Sequence, residues 1–266
     1  MKKIVTRFAP SPTGTLHIGG LRTALFNYVY SKQNNGLFLV RIEDTDRERS
    51  KVEYEKNILD TLSSVGLVPD KKPINQSERN KIYVKAAEKI IESGNAYWCD
   101  CSQEELEEMR REQAAAGKKP MYDGRSRDLG LKKSSKTVLR LKTPLEGETV
   151  VCDLIRGEIT FKNIELDDLI LLRSDGTPTY HFCNVVDDFD QCVTTVIRGE
   201  DHISNTPRQI HIQKALGYPD LEYAHLPLVL GEDKKRLSKR HAATSLNAYK
   251  EMGFTKETII NALALL

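Results

Sequence analysis

The chain has 266 residues, with 40 Lys and Arg against 38 Asp and Glu, a net charge of +2, and 39% hydrophobic residues. That length holds one large domain or two ordinary ones with a real core, and a near-neutral charge neither demands nor rules out a nucleic-acid partner bound through a local basic face. No apolar run approaches the roughly 18 residues of a membrane span, prolines break "MKKIVTRFAP" before any secretory h-region forms, and five cysteines without disulfide-dense spacing point to reduced thiols and a cytoplasmic setting.

In chain order, "KIVTRFA" reads as a short strand and "GGLRTALFNYVYSKQ" as an amphipathic helix with Leu21, Ala24, Leu25, Tyr28 and Val29 on one face. "GLFLVRIED" is a near-continuous apolar run suited to a buried parallel strand. "KVEYEKNILDTLSSVG" is a second helix, stopped at Gly66. This alternation is that of a doubly wound α/β domain.

"SERNKIYVKAAEKIIESG" and "SQEELEEMRREQAAAG" predict helices, each opened by a serine, Ser77 and Ser102, in capping position. From Lys136 to Leu172 four short strand-like runs, "TVLRL", "TVVCDLIRG", "EITFKN" and "DLILLRS", predict a small sheet of their own. A parallel-type strand, "QCVTTVIRGED", and the helix "HISNTPRQIHIQKALG" follow. The final stretch holds the basic loop "GEDKKRLSKRH" and helical "TSLNAYKEMGFTKETIINALALL", whose apolar end lacks a stop signal and reads as truncated.

The stretch "RFAPSPTGTLHIGG", Arg7 to Gly20, concentrates prolines and glycines between the first strand and first helix. Pro10 and Pro12 fix an extended loop. Taken alone the stretch reads as a Gly/Pro loop with a surface histidine; it also fits a site where Gly19 and Gly20 let a phosphate approach the first helical turn and His17 donates to it. The downstream basic run, read alone, is a solvated loop, though a lysine on a mobile loop also suits neutralising a departing pyrophosphate.

These residues carry a resemblance. "PSPTGTLHIGG" resembles the first signature of class I aminoacyl-tRNA synthetases, and "RLSKR" the lysine–serine–lysine loop that is their second. With "LVRIEDTDRERS", "PTYHFCNVVDD" and "VIRGEDHISNTPRQ", the chain resembles glutamyl-tRNA synthetases from Lys3 to its last residue. The resemblance implies a Rossmann-like doubly wound parallel sheet in two halves, residues 1–76 and 184–235. It also implies an inserted α+β acceptor-stem-binding domain at 77–183 and the start of a helical region at 236–266, with the anticodon-binding part absent.

It further implies ATP-dependent activation of L-glutamate to glutamyl-adenylate and transfer to the 3′ end of tRNA(Glu), by a cytoplasmic monomer using ATP and Mg²⁺. His17 and Lys239 would be catalytic. Arg7, Ala9, Ser11, Glu43, Tyr180, Asn184 and Arg198 would bind glutamate, at strand ends of one sheet. Within that set the two arginines take carboxylates, Arg198 that of the side chain, and Glu43 takes the ammonium. Thr13, Gly14, His17, Gly19, Gly20, Asp201, Val229, Arg236, Leu237, Ser238, Lys239 and Arg240 would bind ATP. Read singly, Arg7 equally fits an ion pair with an acid such as Glu43, and Tyr180 a core tyrosine.

The sequence departs from the family pattern in three places, the first being that the opening signature ends "HIGG" rather than with a second histidine. Arg236 stands where a lysine is usual. "CDCS" at Cys99 and Cys101 is half of a zinc site found in some relatives, whose other half would fall at Ser126 and Asp128, so zinc is not expected. Without tRNA or the anticodon-binding part, the isolated chain is expected to be nearly silent in pyrophosphate exchange. The rival readings are a shorter paralogue that glutamylates queuosine in tRNA(Asp), a non-catalytic RNA-binding module and a small-molecule ligase. The retained His17, Lys239 and Arg198 oppose the second.

Overall fold

The apolar runs and amphipathic stretches of the first 75 residues form parallel strands joined by helices in the computed structural model, which describes residues 3–231 and 245–266. Strand β1 (Val5–Phe8) leads through helix α1 (Ile18–Gln33) to β2 (Leu37–Ile42), and α2 (Val52–Ser64) leads on to β3 (Ile74–Asn75). β1 pairs in parallel with β2, Val5 opposite Leu37, and β2 with β3, Arg41 opposite Ile74. The strands are apolar because helices cover them: Leu21 and Leu25 of α1 and Ile58 and Leu62 of α2 pack on Phe38, Val40 and Ile42. Gly66, at φ +80°, follows the end of α2 in the left-handed conformation that glycine adopts without a Cβ penalty.

Helices α3 (Asn80–Glu92) and α4 (Gln103–Ala115) follow, with β4 (Ala96–Cys99) between them. Ser102 caps α4 in a capping box with Glu105. Ser77 does not cap α3: it lies in a 3₁₀ turn, and its amide and hydroxyl bind the Asp44 carboxylate at 2.8 and 2.5 Å. The acid outcompetes the helix end for that hydroxyl.

The four strand-like runs after Lys136 do not make one sheet. β5 (Val138–Leu141) and β8 (Ile170–Leu172) join β4 in an antiparallel sheet of order β4-β5-β8. The hairpin of β6 (Glu148–Asp153) and β7 (Gly157–Lys162) instead extends the sheet of β9 (Thr195–Gly199) and β10 (Glu222–Leu226), in order β7-β6-β10-β9. The reason lies in β6, whose alternate residues are buried; Val151 packs with Val5, Val196 and Tyr223, and the Leu154 amide donates to Tyr223 O at 2.8 Å.

Helix α5 (Tyr180–Asp190) runs across the 183/184 boundary expected from the sequence, while α6 (Thr206–Leu216) joins β9 to β10. The Thr194 amide donates to Val5 O at 2.9 Å and the Val5 amide to Thr194 Oγ1 at 2.9 Å, so β1 lies beside β9. From these two strands the chain departs in opposite directions across the sheets, and the crevice at their carboxyl ends is where open α/β sheets take ligands. Helices α7 (Leu246–Glu251) and α8 (Lys256–Leu265) place Leu246, Ile259 and Leu263 in the core under α1. No helix among the described residues is long and apolar enough to cross a membrane.

Candidate active site

The crevice holds a cavity of about 680 Å³. Arg7, Ala9, Ser11, Thr13, Gly14, His17, Gly19, Gly20, Glu43, Tyr180, Asn184, Arg198, Asp201 and Val229 all line it. Arg236, Leu237, Ser238, Lys239 and Arg240 lie outside the described residues. The described chain stops at Gly231, two residues past Val229 on the cavity wall, and resumes at Ser245, whose backbone bridges His17.

The loop after β1 is tied down through its carbonyls, as a proline-containing loop must be. Pro10 O accepts from the Glu43 amide at 2.9 Å and Pro12 O from the Lys51 amide at 3.0 Å, while the Leu16 amide donates to Asn57 Oδ1 at 3.0 Å. His17 is the N-cap of α1, and its Nδ1 accepts from the Gly19 amide at 3.1 Å. An accepting Nδ1 leaves the proton of the neutral ring on Nε2, so His17 is a donor at that atom. Gly20 serves packing: a Cβ there would stand 2.9 Å from Leu16 Cδ1.

Tyr180 and Asn184 are on the first turns of α5 rather than at strand ends. Burial and the nearby Glu43 push the Tyr180 phenol up to about 12, which keeps it a neutral donor. Asn184 is the centre of a buried hydrogen-bonded chain. Its Nδ2 donates to Glu43 Oε1 at 2.8 Å, and its Oδ1 accepts from Gln209 Nε2 at 3.3 Å. Gln209 Oε1 in turn accepts from Arg198 Nη1 at 2.7 Å. An acid and a guanidinium therefore stand at opposite ends of one amide relay. Burial pushes the Glu43 carboxyl up, against the opposing pull of Arg41 and Arg7.

The two arginines differ. Arg7 forms an ion pair with Asp188, not Glu43: its Nε lies 3.0 Å from Oδ1 and its Nη2 3.2 Å from Oδ2. Arg41, fully buried, donates to Asp188 Oδ1 at 2.7 Å and to Glu43 Oε1 at 3.2 Å. Arg198, 6% exposed, has neutral hydrogen-bond partners instead, namely His225 Nε2 at 3.1 Å, Gln209, Thr206 Oγ1 at 2.8 Å and the His202 carbonyl at 3.3 Å. Burial pulls its guanidinium below the usual arginine value, as expected of a cation without an adjacent anion to offset desolvation.

Sequence reasoning missed Arg22, His202, Gln209, Thr206, His225 and Asp153. Arg22 lines the cavity and donates to Pro227 O at 2.7 Å. Gln209 and Thr206 lie in the charge-and-amide stretch "EDHISNTPRQ", where a polar cluster opening a helix was the only signal.

Outside the cavity lining, the Cys99 thiol donates to Tyr122 Oη at 3.4 Å and accepts from Ser126 Oγ at 3.5 Å. Hydroxyls are poor partners for tetrahedral zinc, which takes thiolate and imidazole. Among the described residues no group of three or more His, Cys, Asp and Glu could hold a metal.

A profile of the family described as tRNA synthetases class I (E and Q), catalytic domain, matches residues 3–266. The glutamate–tRNA ligase of Thermodesulfovibrio yellowstonii is 53% identical over 260 residues, covering 98% of this chain and 56% of that protein. That of Nitrosospira multiformis is 54% identical over 265 residues, covering 99% and 57%. A crystal structure of a glutamate tRNA ligase from Elizabethkingia meningosepticum, in complex with its amino acid, matches with a TM-score of 0.90 and 36% identity, covering 100% of this chain and 61% of that one. The chain thus spans little more than half the length of these relatives.

Proposed function

Because the chain belongs to the class I tRNA synthetases for glutamate and glutamine, through their catalytic domain, we propose that it activates L-glutamate with ATP. The protein it represents would pass the glutamyl group to the 3′ end of tRNA(Glu). The observation that carries glutamate rather than glutamine is Arg198, a buried guanidinium on the cavity wall whose side-chain partners are neutral. A side-chain carboxylate would supply the missing anion; an amide would leave the cation uncompensated. Glu43, at the other end of the relay, takes the α-ammonium, and Arg7, Ala9, Ser11 and Tyr180 border the substrate between them.

In the reaction the glutamate α-carboxylate oxygen attacks the α-phosphorus of ATP and the bond to the pyrophosphate breaks, leaving glutamyl-adenylate. No covalent enzyme intermediate forms, so the protein contributes positioning and charge stabilisation. His17 Nε2–H donates to a phosphate oxygen, beside Thr13, Gly14, Gly19 and Gly20. Asp201 and Val229 border the nucleotide. Lys239, with its neighbours 236–240, meets the departing pyrophosphate, a role supported by Val229, which lines the cavity, and by Ser245, which bridges the cavity residue His17. Mg²⁺ would arrive held by ATP phosphate oxygens and water and would lower the charge of those phosphates. Zinc has no part in this reading.

The finer organisation follows the same reading. Residues 77–183, apart from the β6–β7 hairpin and the start of α5 that join the catalytic part, act as an inserted acceptor-stem-binding element between catalytic halves 1–76 and 184–235, residues 236–266 begin a helical stem-contact region, and the protein works as a cytoplasmic monomer. The test is charging of purified tRNA by the full-length protein, with labelled glutamate or glutamine in parallel. Glutamate incorporation dependent on ATP and on tRNA(Glu) is the expected result. Incorporation of glutamine instead, or of neither, would overturn the reading.

A further inference from the structure

Arg198 on β9 and His225 on β10 lie directly opposite in parallel register, and the Arg198 Nε–H donates to His225 Nε2. The other ring nitrogen, Nδ1, stands 2.6 Å from Asp153 Oδ2, with both side chains fully buried. Asp153 ends β6, and its Oδ1 also accepts from the Ile155, Arg156 and His225 amides at 3.0, 2.9 and 3.3 Å. Burial alone would raise this carboxyl; its hydrogen bonds from Arg156, His225 and Ile155 outweigh that and hold it below the usual range. It is therefore an anion in the fold.

The direction of every proton in this chain is fixed. A guanidinium cannot accept, so His225 Nε2 must present its lone pair, and the ring proton sits on Nδ1, donated to Asp153. A carboxylate placed directly on Arg198 would neutralise it and close it to a substrate anion. An imidazole between them orients the guanidinium and sets a negative charge behind it while leaving its positive charge available to the cavity.

We propose that Asp153 and His225 are positioning residues for Arg198, holding the guanidinium in the orientation that selects a side-chain carboxylate. This rests on the reading of Arg198 as the carboxylate partner. Neither residue lines the cavity, and neither touches the substrate in this account. The effect is on specificity: loss of the relay lets Arg198 swing or tilt, so glutamate is bound less well while nucleotide binding is untouched.

The test uses Asp153→Asn, close in size. With the Ile155 and Arg156 amides holding an oxygen, the new NH₂ faces His225 Nδ1, the ring proton moves to Nε2, and two donors then confront each other at Arg198. Binding of glutamyl- and glutaminyl-adenylate analogues and of ATP is measured by calorimetry, and the His225 tautomer by ¹⁵N chemical shifts. The expected result is a tautomer switch with a glutamyl-analogue affinity lower by about 10–100-fold, by analogy with the loss of outer-shell partners behind metal-ligating histidines, and ATP affinity unchanged. Should Asp153→Asn not fold, His225→Leu is expected to show the same loss and His225→Gln, which restores an acceptor toward Arg198, to recover most of it. Full glutamyl selectivity in folded Asp153→Asn or His225→Leu, alongside its loss in Arg198→Ala, would overturn the proposal. Full selectivity in Arg198→Ala would instead overturn the reading on which it rests.

Discussion

Asp188 grips Arg7 through both carboxylate oxygens, at 3.0 and 3.2 Å, from a helix 181 residues further along the chain. The same carboxylate accepts from Arg41 at 2.7 Å. Burial would raise its carboxyl, but Arg7 and Arg41 hold it below the usual range. One anion therefore fixes a cavity arginine of β1 and a buried arginine of β2 against α5. Removing it while keeping its shape leaves two buried guanidinium groups short of charge. Asp188→Asn is expected to lower stability by about 3–5 kcal/mol in urea unfolding and to weaken glutamyl-analogue binding. A loss below about 1 kcal/mol, the scale of an exposed pair, would mean the cluster is solvated.

In the proposed reaction His17 has two separable duties, the observed capping of α1 through Nδ1 and the proposed donation to phosphate through Nε2. His17→Ala should lose about 1 kcal/mol of stability, as N-cap truncations do. It should also lose about 100–1,000-fold in adenylate formation by the full-length protein with tRNA, the scale for one lost transition-state donor. His17→Ser restores a capping oxygen but is too short to reach the phosphate. Stability should return in that variant and the rate should not; return of both would show that the cap alone matters.

His211 gives a pH prediction. It is buried, its Nε2 lies 3.0 Å from Thr149 Oγ1, and burial, with Lys214 nearby, pushes it down from 6.5 to about 4. As pH falls below about 6.5 the unfolded chain takes up a proton that the folded chain refuses until about 4. Stability is therefore full above that window and falls through it, by up to roughly 1.4 kcal/mol per pH unit for this one group. Urea midpoints at pH 7 and pH 5 should separate further for the native chain than for His211→Gln. Equal separations would show that His211 titrates normally in the fold.

Much of this was legible in the sequence where the signal is local. The apolar run of β2, the amphipathic face of α1 and the Ser102 cap are set by neighbours within a few residues. Local patterning failed where a distant partner decides. Ser77 reads as a cap until Asp44 claims its hydroxyl, and β6 reads as part of an independent small sheet until Tyr223 of β10 pairs with it. The cavity residues are legible through a family resemblance, and the described ones line a single crevice. The groups behind them were not found. Asp153 and His225 are 72 residues apart and meet only because β6, β10 and β9 lie side by side, and no periodicity in either segment marks that meeting.

The central claim is that Arg198 makes this cavity a glutamate site. It is tested most directly by calorimetric titration of a non-hydrolysable glutamyl-adenylate analogue into the native chain and into Arg198→Ala, with the glutaminyl analogue alongside. Tight glutamyl binding, weaker glutaminyl binding, and loss of most of the glutamyl preference in Arg198→Ala are expected. Equal binding of both analogues by the native chain, or an undiminished glutamyl preference in a folded Arg198→Ala, would contradict it.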